Sequence, residues 1–596
     1  MKTVIFKRII SVFLVITIVF SLSASLIACG PDSDTYDDMN GSSDGNQNGT
    51  GNGTAAGDGY DYHDKIAYPV YKDYGRGTID FDEIEYKTPN FDEVNEKIRA
   101  VIDAIEKSEI TFEAQIALIE SLEDDYSSIL TMRTLADIRV AEDSSSEYWK
   151  EEYAYITGSY PLFASIIEDM YVAAANSPYA ERFEAEYFGE GLIEEYKDGG
   201  RFTDELVALF EAEEELEARY TSIAASSSTD DDTLTEIFIE LVKTRRLIAD
   251  ELNYETYAEY AYEAHGRDYS SEQASRLLDD ICEYILPTYQ ILSYTTLAKY
   301  VYLDSTVKPA SLKLEDLINT SRELLGEVDE SFGDIFDYML QHGLFDVELQ
   351  SENRNAGAFV TYLVDYEAPY LFVSAEGSIA DYPTLLHEFG HFIDSFTNCN
   401  SEASIDQKEI SSQALEYLML TRLDDVLSAS NSLYLKDTQM LNALMTLIFQ
   451  GFYAKAEELI YKLPYDKITK ENLDAEIIKA AKAFSLNTNY INDVSAIFIT
   501  HTFIYPFYVQ SYCTSLIPAL EIYFMEIENE GAGFEAYKKL VDRNGESFTL
   551  EESLQNAGIA SPFKEDIILE LAGKILSYVN TGTLPEKNEG ALDDAA

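Results

Sequence analysis

The chain has 596 residues, which is more than one compact core usually holds, so two or three lobes are expected. Hydrophobic residues make up 46% of it, enough to build large packed cores. The 109 acidic residues against 42 basic ones give a formal net charge of −67. A surface this negative repels nucleic acid and anionic lipid headgroups, which excludes functions that depend on binding a polyanion.

The N-terminal residues predict an export signal rather than part of the fold. A basic start precedes an apolar stretch over residues 9–28, and residues 26–29 read Leu-Ile-Ala-Cys. This ending resembles the lipobox of bacterial lipoproteins. The resemblance implies a signal peptide over residues 1–28, cleavage before Cys29, and a diacylglycerol on the Cys29 thiol that anchors the chain to the extracytoplasmic face of the bacterial cell membrane. The alternative is an uncleaved transmembrane anchor, because about 20 apolar residues can span a bilayer.

The residues after the lipobox predict a spacer. Residues 29–59 are rich in Gly, Asn, Asp and Ser and offer almost nothing to bury. That composition is typical of a flexible tether between an anchor and a folded domain. The change of composition near Tyr60 is the clearest domain boundary, and residues 586–596 predict a disordered acidic tail.

From about Thr88 onward the chain shows the periodicity of helices. In the segment 91–122, Val94 and Ile98 begin a series of apolar residues at three- and four-residue steps. Asn90 is the predicted N-cap of that segment. The same spacing predicts helices in four further segments, 202–225, 233–252, 271–300 and 311–345.

One region breaks the helical pattern. Residues 357–374 are rich in β-branched and aromatic side chains and predict two strands of a small sheet. A helix is expected directly afterwards, with Pro383 in its first turn and Asp381 or Tyr382 just outside it. The sequence therefore predicts a mostly α fold with a small β-sheet beside this helix.

The helix after the predicted sheet carries the motif HExxH, which begins at His387 and ends at His391. Side chains four residues apart lie on the same helix face, so both imidazoles can reach one metal ion. Glu388 lies next to the first ligand, where a carboxylate can act as the general base for a water molecule at the metal. The motif therefore predicts a catalytic zinc site.

A catalytic zinc needs a third protein ligand and an open position for water. In the next predicted helix, Glu409, Gln413 and Glu416 lie on one face at steps of four and three residues. Glu409 is the predicted third ligand. From spacing alone Glu416 is an alternative, and Asp394 and Glu402 are further candidates. Gln413 or Glu416 is expected to bind a ligand histidine from behind and so to orient its ring.

A second polar cluster lies far along the chain, at His501, Tyr505, Tyr508 and Tyr512. Histidine and tyrosine offer neutral donors for the oxyanion that develops when a carbonyl is attacked. The chain has 44 tyrosines, so aromatic residues at helical spacing alone favour an ordinary core.

Two segments of the sequence, HEFGH and EISSQALEY, resemble the oligoendopeptidase F and thimet oligopeptidase family of zinc metallopeptidases. Relatives carry HExGH followed by an E-x-x-S-x-x-x-E segment, which Glu409, Ser412 and Glu416 match. The resemblance implies one Zn²⁺ ion with Glu409, rather than Glu416, as its third ligand. The segment between His391 and Glu409 is shorter than expected of the family, which implies a trimmed connecting loop.

The segment from His501 resembles the family pattern H-x-x-x-x-P-F-Y-x-x-x-Y. That pattern implies contact with substrate and stabilisation of the tetrahedral intermediate by His501, Tyr508 and Tyr512, with Tyr505 as a possible substitute. The predicted strand pair also resembles the strands beside the zinc helix in the family. This likeness implies that the backbone around Pro369–Ser374 pairs with the substrate as an added strand.

The resemblance covers roughly residues 70–580 and implies two helical lobes around a deep substrate channel. The expected division is an N-terminal helical lobe over 60–250 and a zinc metallopeptidase catalytic region over 251–585. The function implied is a zinc-dependent endopeptidase that cleaves short unstructured peptides outside the cytoplasmic membrane, with Glu388 activating the water. The alternative is a non-catalytic, membrane-tethered peptide-binding lipoprotein with a vestigial zinc site.

Overall fold

The computed structural model describes residues 63, 66 and 80–581, except for 108, 190, 198, 225–230, 304–309, 400–402 and 544–547. The predicted signal peptide, Cys29, the tether and the acidic tail lie outside the described residues. Within the described residues, no helix combines the length and the apolar character that crossing a membrane requires.

Helices make up most of the described chain, and a three-stranded sheet lies between two sets of them. The helices before the sheet are α1 (Phe91–Lys107), α2 (Phe112–Glu120), α3 (Glu123–Glu142), α4 (Glu147–Asn176), α5 (Ala180–Phe183), α6 (Leu192–Tyr196), α7 (Asp204–Ala224), α8 (Asp231–Glu251), α9 (Tyr257–Ala264), α10 (Ser271–Asp280), α11 (Leu286–Leu303), α12 (Leu314–Val328) and α13 (Glu330–Gln341). The strands are β1 (Phe345–Leu349), β2 (Ala358–Leu363) and β3 (Ala368–Ala375).

The helices after the sheet carry the motif residues. They are α14 (Asp381–Asn398), α15 (Ile405–Met419), α16 (Ala429–Tyr461), α17 (Lys470–Ala483), α18 (Thr500–Ile504), α19 (Val509–Glu528), α20 (Ala532–Val541), α21 (Leu550–Ala557) and α22 (Ile567–Thr581). The predicted mostly α fold with a small sheet before the motif helix is confirmed.

Helix N-caps split two segments that the apolar periodicity had predicted as single helical segments. The Asn90 carboxamide oxygen accepts a hydrogen bond from the Glu93 N–H at 3.3 Å, so the predicted cap is confirmed. The segment 91–122, however, forms two helices, because the Thr111 side chain accepts from the Ala114 N–H and begins α2. Asp329 divides 311–345 in the same way and caps α13.

The sheet has the order β1-β3-β2, with β3 parallel to β1 and antiparallel to β2. Both predicted strands are present. Strand β1 was not predicted: it begins at Phe345, the last residue of the predicted helical segment 311–345, and continues to Leu349. Because Leu371, Phe372 and Val373 pair with both neighbours, their backbone groups face strands on both sides. The expectation that this stretch of β3 pairs with a substrate is therefore wrong.

The described helices pack around two hydrophobic cores. The first runs from Phe91 to Tyr196 along the chain; in it, the buried Phe163 ring lies 5.7 Å from the Phe91 ring. The second contains the sheet and the motif helix α14. There the Phe389 and Phe336 rings meet edge to face at 4.8 Å between centroids, which fixes α14 against α13. The lobe boundary expected near residue 250 stays a prediction.

Candidate metal centre

Helix α14 carries the HExxH residues and begins directly after the sheet. The Asp381 carboxylate accepts hydrogen bonds of 2.8–2.9 Å from the three backbone N–H groups of residues 376–378. These bonds close the turn between β3 and α14 and satisfy amides that would otherwise be unpaired. Asp381 is itself the first helical residue, so the helix begins earlier than predicted. Pro383 still lies in the first turn, where its missing N–H costs nothing.

Gly390, the fourth residue of the motif, allows α14 and α15 to cross in close contact. A Cβ atom at this position would lie 2.6 Å from the Ser411 carbonyl oxygen and 2.6 Å from the Ser412 Cα, both backbone atoms of α15. No side chain fits at such distances. The crossing brings the two histidine positions of α14 directly beside Glu409 of α15.

Three side chains converge at this crossing: His387, His391 and Glu409. Their ligand atoms all lie within 4.8 Å of one another, and all three residues are buried. The His387 Nε2 lies 3.8 Å from Glu409 Oε2, and the His391 Nε2 lies 3.7 Å from Glu409 Oε1. Both imidazoles thus present Nε2 to one carboxylate, as one shared cation would require.

Glu416 holds the first histidine from behind. Its Oε2 lies 2.9 Å from His387 Nδ1, and its Oε1 accepts a hydrogen bond from the Gln439 amide. A carboxylate on Nδ1 orients the ring so that Nε2 faces the cluster. Gln413 does not take part: its carbonyl oxygen accepts from the Ser515 hydroxyl at 2.9 Å. Of the two residues expected to bind a ligand histidine, the structure places only Glu416 against one.

The other candidate ligands are elsewhere. Asp394 forms a two-pronged ion pair with the buried Arg543, with N–O distances of 2.7 and 3.1 Å. Its carboxylate is thereby committed to a guanidinium rather than to the His-His-Glu cluster. Glu402 lies outside the described residues.

Two buried atoms show how well the cluster suits a metal ion. Within the described part of the chain, His387 Nε2 and Glu388 Oε2 have no hydrogen-bond partner. Leaving a buried polar atom unpaired is costly, so each such atom calls for an explanation. A cation bound between the imidazoles and Glu409 explains the first, and a water molecule beside that cation explains the second. Two His and one Glu also form an established ligand set of catalytic zinc.

The electrostatics of the site favour added positive charge. Burial alone would lower the pKa of His387, but the hydrogen bond that its ring donates to Glu416 and three nearby carboxylates raise it to about 9. Burial raises the pKa of Glu388 to about 8, and the charges of Glu409 and Glu416 add to that shift. Burial and the charge on His387 lower the pKa of His391. A divalent cation would relieve this excess of buried negative charge.

The residues predicted from the second cluster lie beside the first. The Tyr508 hydroxyl donates a hydrogen bond of 2.5 Å to Glu409 Oε1, and His501 Nε2 lies 3.1 Å from the Tyr512 hydroxyl. The rings of these two tyrosines and His501 are 5.5–5.6 Å apart. The Tyr505 ring is slightly farther, 6.2 Å from that of Tyr508. Residues about 100 positions apart therefore form one polar site.

Sequence reasoning missed the side chains that hold these groups in place. Gln439 and Ser515 reach the site from α16 and α19, and a single Gln or Ser on a helix gives no signal in one sequence. Arg267 is buried and bonds both to Asp406 of α15 and to the backbone of Phe507. Its position after α9 gave no sign of either contact.

A buried His-His-Glu cluster with an unpaired carboxylate beside it is the donor set of a catalytic zinc site. Two family patterns match the chain: Peptidase M3 N-terminal domain over residues 81–197 and Peptidase family M3 over residues 328–573. Together they cover more than half of the sequence, and the second includes the His-His-Glu cluster, Glu388 and the cluster of His501 and the tyrosines. The chain belongs to peptidase family M3.

One relative of similar sequence supports the family assignment. Over 247 residues the chain is 27% identical to an oligoendopeptidase F homolog from Borreliella burgdorferi. The match covers 39% of this chain and 41% of that protein, so the chain matches less than half of the relative's length.

Solved structures show the same fold. A Bacillus anthracis protein assigned as an oligoendopeptidase F superposes with a TM-score of 0.71 at 21% identity, over 85% of this chain and 98% of that one. PZ peptidase A, solved with an inhibitor, gives 0.71 at 19% identity over 84% and 99% of the two chains. Oligoendopeptidase F from Enterococcus faecium gives 0.52 at 15% identity over 82% and 97%. At these identities the likeness shows the fold alone.

Proposed function

We propose that this chain is a zinc-dependent endopeptidase that hydrolyses internal bonds of short unstructured peptides outside the cytoplasmic membrane. One observation carries the proposal: His387, His391 and Glu409 converge in a buried cluster, and the unpaired carboxylate of Glu388 lies in the same helix turn. Membership of peptidase family M3 supports the same activity.

The cluster supplies the groups that hydrolysis of a peptide bond requires. A zinc ion held by His387, His391 and Glu409 would polarise the scissile carbonyl and lower the pKa of the attacking water. Glu388 accepts the proton of that water and delivers it to the leaving amine. Burial raises the pKa of Glu388 to about 8 in the metal-free chain, and the positive charge of a bound zinc ion would lower it, which leaves the carboxylate ionised and able to accept the proton.

The second cluster would stabilise the charge that develops on the carbonyl oxygen. The Tyr508 hydroxyl lies against Glu409 and can donate to an oxyanion formed beside that ligand. Burial lowers the pKa of His501 to about 4, so its ring is neutral at neutral pH and donates through one N–H. Tyr512, in contact with His501 Nε2, positions that ring or donates directly.

The substrate and the location come from other observations. Short peptides are the substrate class implied by the family resemblance. The assignment of the Borreliella burgdorferi relative as an oligoendopeptidase F homolog agrees with this substrate class. The N-terminal apolar stretch, the lipobox-like ending at Cys29 and the tether support attachment to the outer face of the membrane. The anchor keeps the enzyme at the cell surface, where it would meet peptides of the medium.

The test uses the full-length chain and a mixed library of quenched fluorescent peptides. Zinc content is measured in parallel, and cleavage sites are identified by mass spectrometry. Glu388→Gln keeps the shape of the side chain but removes the base, so the rate should fall by about 10²–10⁴-fold while zinc stays bound. Glu526→Gln is the matched control, because Glu526 is also a buried carboxylate but binds the backbone N–H groups of Gly531 and Gly533 and the Arg422 side chain.

Internal cleavage that disappears with a chelator and in Glu388→Gln, but persists in Glu526→Gln, would support the proposal. If zinc binds and no peptide is cut, the peptidase assignment fails and a peptide-binding lipoprotein becomes the better reading. Cleavage that survives the loss of zinc would refute the metal mechanism.

A further inference from the structure

The backbone that leads into Tyr508 has an unusual conformation. Phe507, the preceding residue, has a φ of 65°, in the left-handed region that non-glycine residues rarely adopt. Such a conformation costs about 1–3 kcal/mol and persists only where the surroundings enforce it. At Phe507 it ends the turn after α18 and directs the next side chain, Tyr508, toward Glu409.

Both backbone groups of Phe507 are bound by buried polar side chains. Its N–H donates to Glu457 Oε1 at 3.0 Å, and its carbonyl oxygen accepts from Arg267 Nη2 at 2.9 Å. The adjacent carbonyl, that of Pro506, accepts from His265 Nε2 at 2.9 Å. We call His265, Arg267 and Glu457 the loop clamp. Its members come from two separate regions of the chain, so the turn is fixed from more than one side.

The loop clamp also reaches the helix that carries Glu409. The Arg267 Nε donates to Asp406 Oδ2 at 3.2 Å, and Asp406 lies one helical turn before Glu409 in α15. The His265 carbonyl oxygen accepts from the Ile405 N–H at 3.1 Å, in the first turn of α15. The same short segment thus bonds both to the helix of Glu409 and to the turn before Tyr508.

Stability alone does not account for this arrangement. Buried charges lose their hydration, and an ion pair in a core is often no more stable than apolar residues of the same volume. Glu457 is 1% exposed and burial raises its pKa to about 8. An apolar turn with ordinary backbone angles would avoid these costs, but it would not impose a left-handed residue just before Tyr508.

We propose that His265, Arg267 and Glu457 are positioning residues that hold Phe507 in its left-handed conformation and thereby set the Tyr508 hydroxyl against Glu409. The proposal rests on the function proposed above, because the hydroxyl so placed is the predicted oxyanion donor. The clamp acts on the reaction through Tyr508.

The first experiment is Arg267→Lys in the full-length chain. Lysine keeps the charge but cannot reach Asp406, Phe507 and Ser511 together as the guanidinium does. We expect kcat to fall by about 10–100-fold with KM changed by less than about 2-fold, because a donor misplaced by about 1 Å loses most of its effect in the transition state. Zinc content should not change.

The matched control is Arg354→Lys. Arg354 is a buried arginine with the same three kinds of partner: the carboxylate of Asp346, the backbone carbonyl of Val373 and the hydroxyl of Ser374. It lies in the loop between β1 and β2, and these three bonds hold it to β1 and β3. If Arg354→Lys lowers kcat as much as Arg267→Lys does, the effect is one of general packing and the proposal is overturned.

A double-mutant cycle separates positioning from a general structural role. If Arg267 acts through Tyr508, then Arg267→Lys in a Tyr508→Phe background should change kcat by less than about 2-fold. An equal loss in both backgrounds would overturn the proposal. Glu457 gives a second pair: Glu457→Gln keeps an acceptor for the Phe507 N–H and should retain most activity, whereas Glu457→Met should lose about 10-fold or more. Equal effects of Gln and Met would also overturn it.

Amide hydrogen exchange makes the test independent of peptidase activity. Exchange in residues 501–509 should be faster in Arg267→Lys than in the wild-type chain, and unchanged in Arg354→Lys. Unchanged exchange in Arg267→Lys would overturn the proposal even for an active enzyme. Faster exchange in a chain that binds zinc but cuts no peptide would show that the clamp exists and that the proposed function fails.

Discussion

Replacing Gly390 with alanine tests whether the helix crossing builds the metal centre. The new Cβ would lie 2.6 Å from two backbone atoms of α15, whereas ordinary contacts begin at 3.4 Å. Backbone atoms cannot rotate away, so α14 and α15 must separate by about 0.8 Å. Ligand distances in a zinc site tolerate about 0.2 Å, so Glu409 would be drawn out of reach of a cation held by the two histidines.

Two effects of opposite sign act on stability. Alanine is favoured over glycine inside a helix by about 1 kcal/mol, whereas overpacking a tight contact costs about 1–3 kcal/mol. The free energy of unfolding should therefore change little, falling by about 0–2 kcal/mol. Zinc affinity should fall by about 10-fold or more, because displacing a ligand weakens binding at least as much as removing a hydrogen bond that orients a ligand.

The assay is competition for zinc with a coloured chelator, together with thermal unfolding of the metal-free chain. Gly451→Ala is the control, because its Cβ would also meet a close neighbour, the Phe484 ring at 2.8 Å, but away from the site. We expect Gly451→Ala to lower stability and leave zinc affinity unchanged. If Gly390→Ala binds zinc as tightly as the wild-type chain, the reasoning from helix separation is refuted.

The structure yields three further predictions, and the N-terminal sequence yields a fourth. Tyr508→Phe should lower kcat by about 10²–10³-fold with little change in KM, as expected for a lost oxyanion donor; unchanged kcat in steady-state kinetics would remove Tyr508 from the mechanism. Glu416→Gln should weaken zinc binding by about 10–100-fold, because His387 loses the carboxylate that orients it; metal competition measures this, and wild-type affinity would contradict it. Burial lowers the pKa of His265 to about 3, below its value of about 6.5 in the unfolded chain, so its contribution to stability is complete above pH 6.5 and is lost as the pH falls from 6.5 toward 3. The free energy of unfolding of the wild-type chain should then fall more steeply than that of His265→Asn, by about 1.4 kcal/mol per pH unit, and parallel curves in urea titrations would show the shift to be absent. Cys29→Ala should abolish labelling by radioactive palmitate and leave the N-terminal residues uncleaved. If the N-terminal stretch is instead an intact transmembrane anchor, neither chain is labelled, their masses differ only by the substitution, and both are found in the membrane fraction.

Local sequence patterns predicted the elements that depend on neighbours in the chain. HExxH required only that residues four apart share a helix face, and the structure places His387 and His391 accordingly. The two strands at 357–374 and the cap at Asn90 are also local features, and both are present. The errors were local too: the caps at Thr111 and Asp329 divide helices that periodicity joined, because a side chain bonding to the backbone stops a helix without changing the apolar pattern.

Contacts between distant residues were harder to predict. Spacing left Glu409, Glu416, Asp394 and Glu402 as candidate ligands, because any carboxylate on a nearby helix satisfies the pattern. The resemblance to known sequences favoured Glu409, and the structure places it between the two histidines. It also assigns Glu416 to His387 and Gln413 to Ser515. Likewise, β3 is the central strand of the sheet, and the strand propensity of a segment does not indicate its position in a sheet.

Helical periodicity within a few residues was enough to predict the fold class, the two histidines of the candidate metal centre and Glu388. The tertiary structure alone decided how α14 and α15 cross at Gly390, which carboxylate faces the histidines, and how Arg267 and Glu457 fix the turn before Tyr508. These features depend on contacts between segments that are 21 (Gly390 to Ser411) to 240 residues apart in the chain. Such contacts arise only when the cores have packed, and no pattern within a single segment records them.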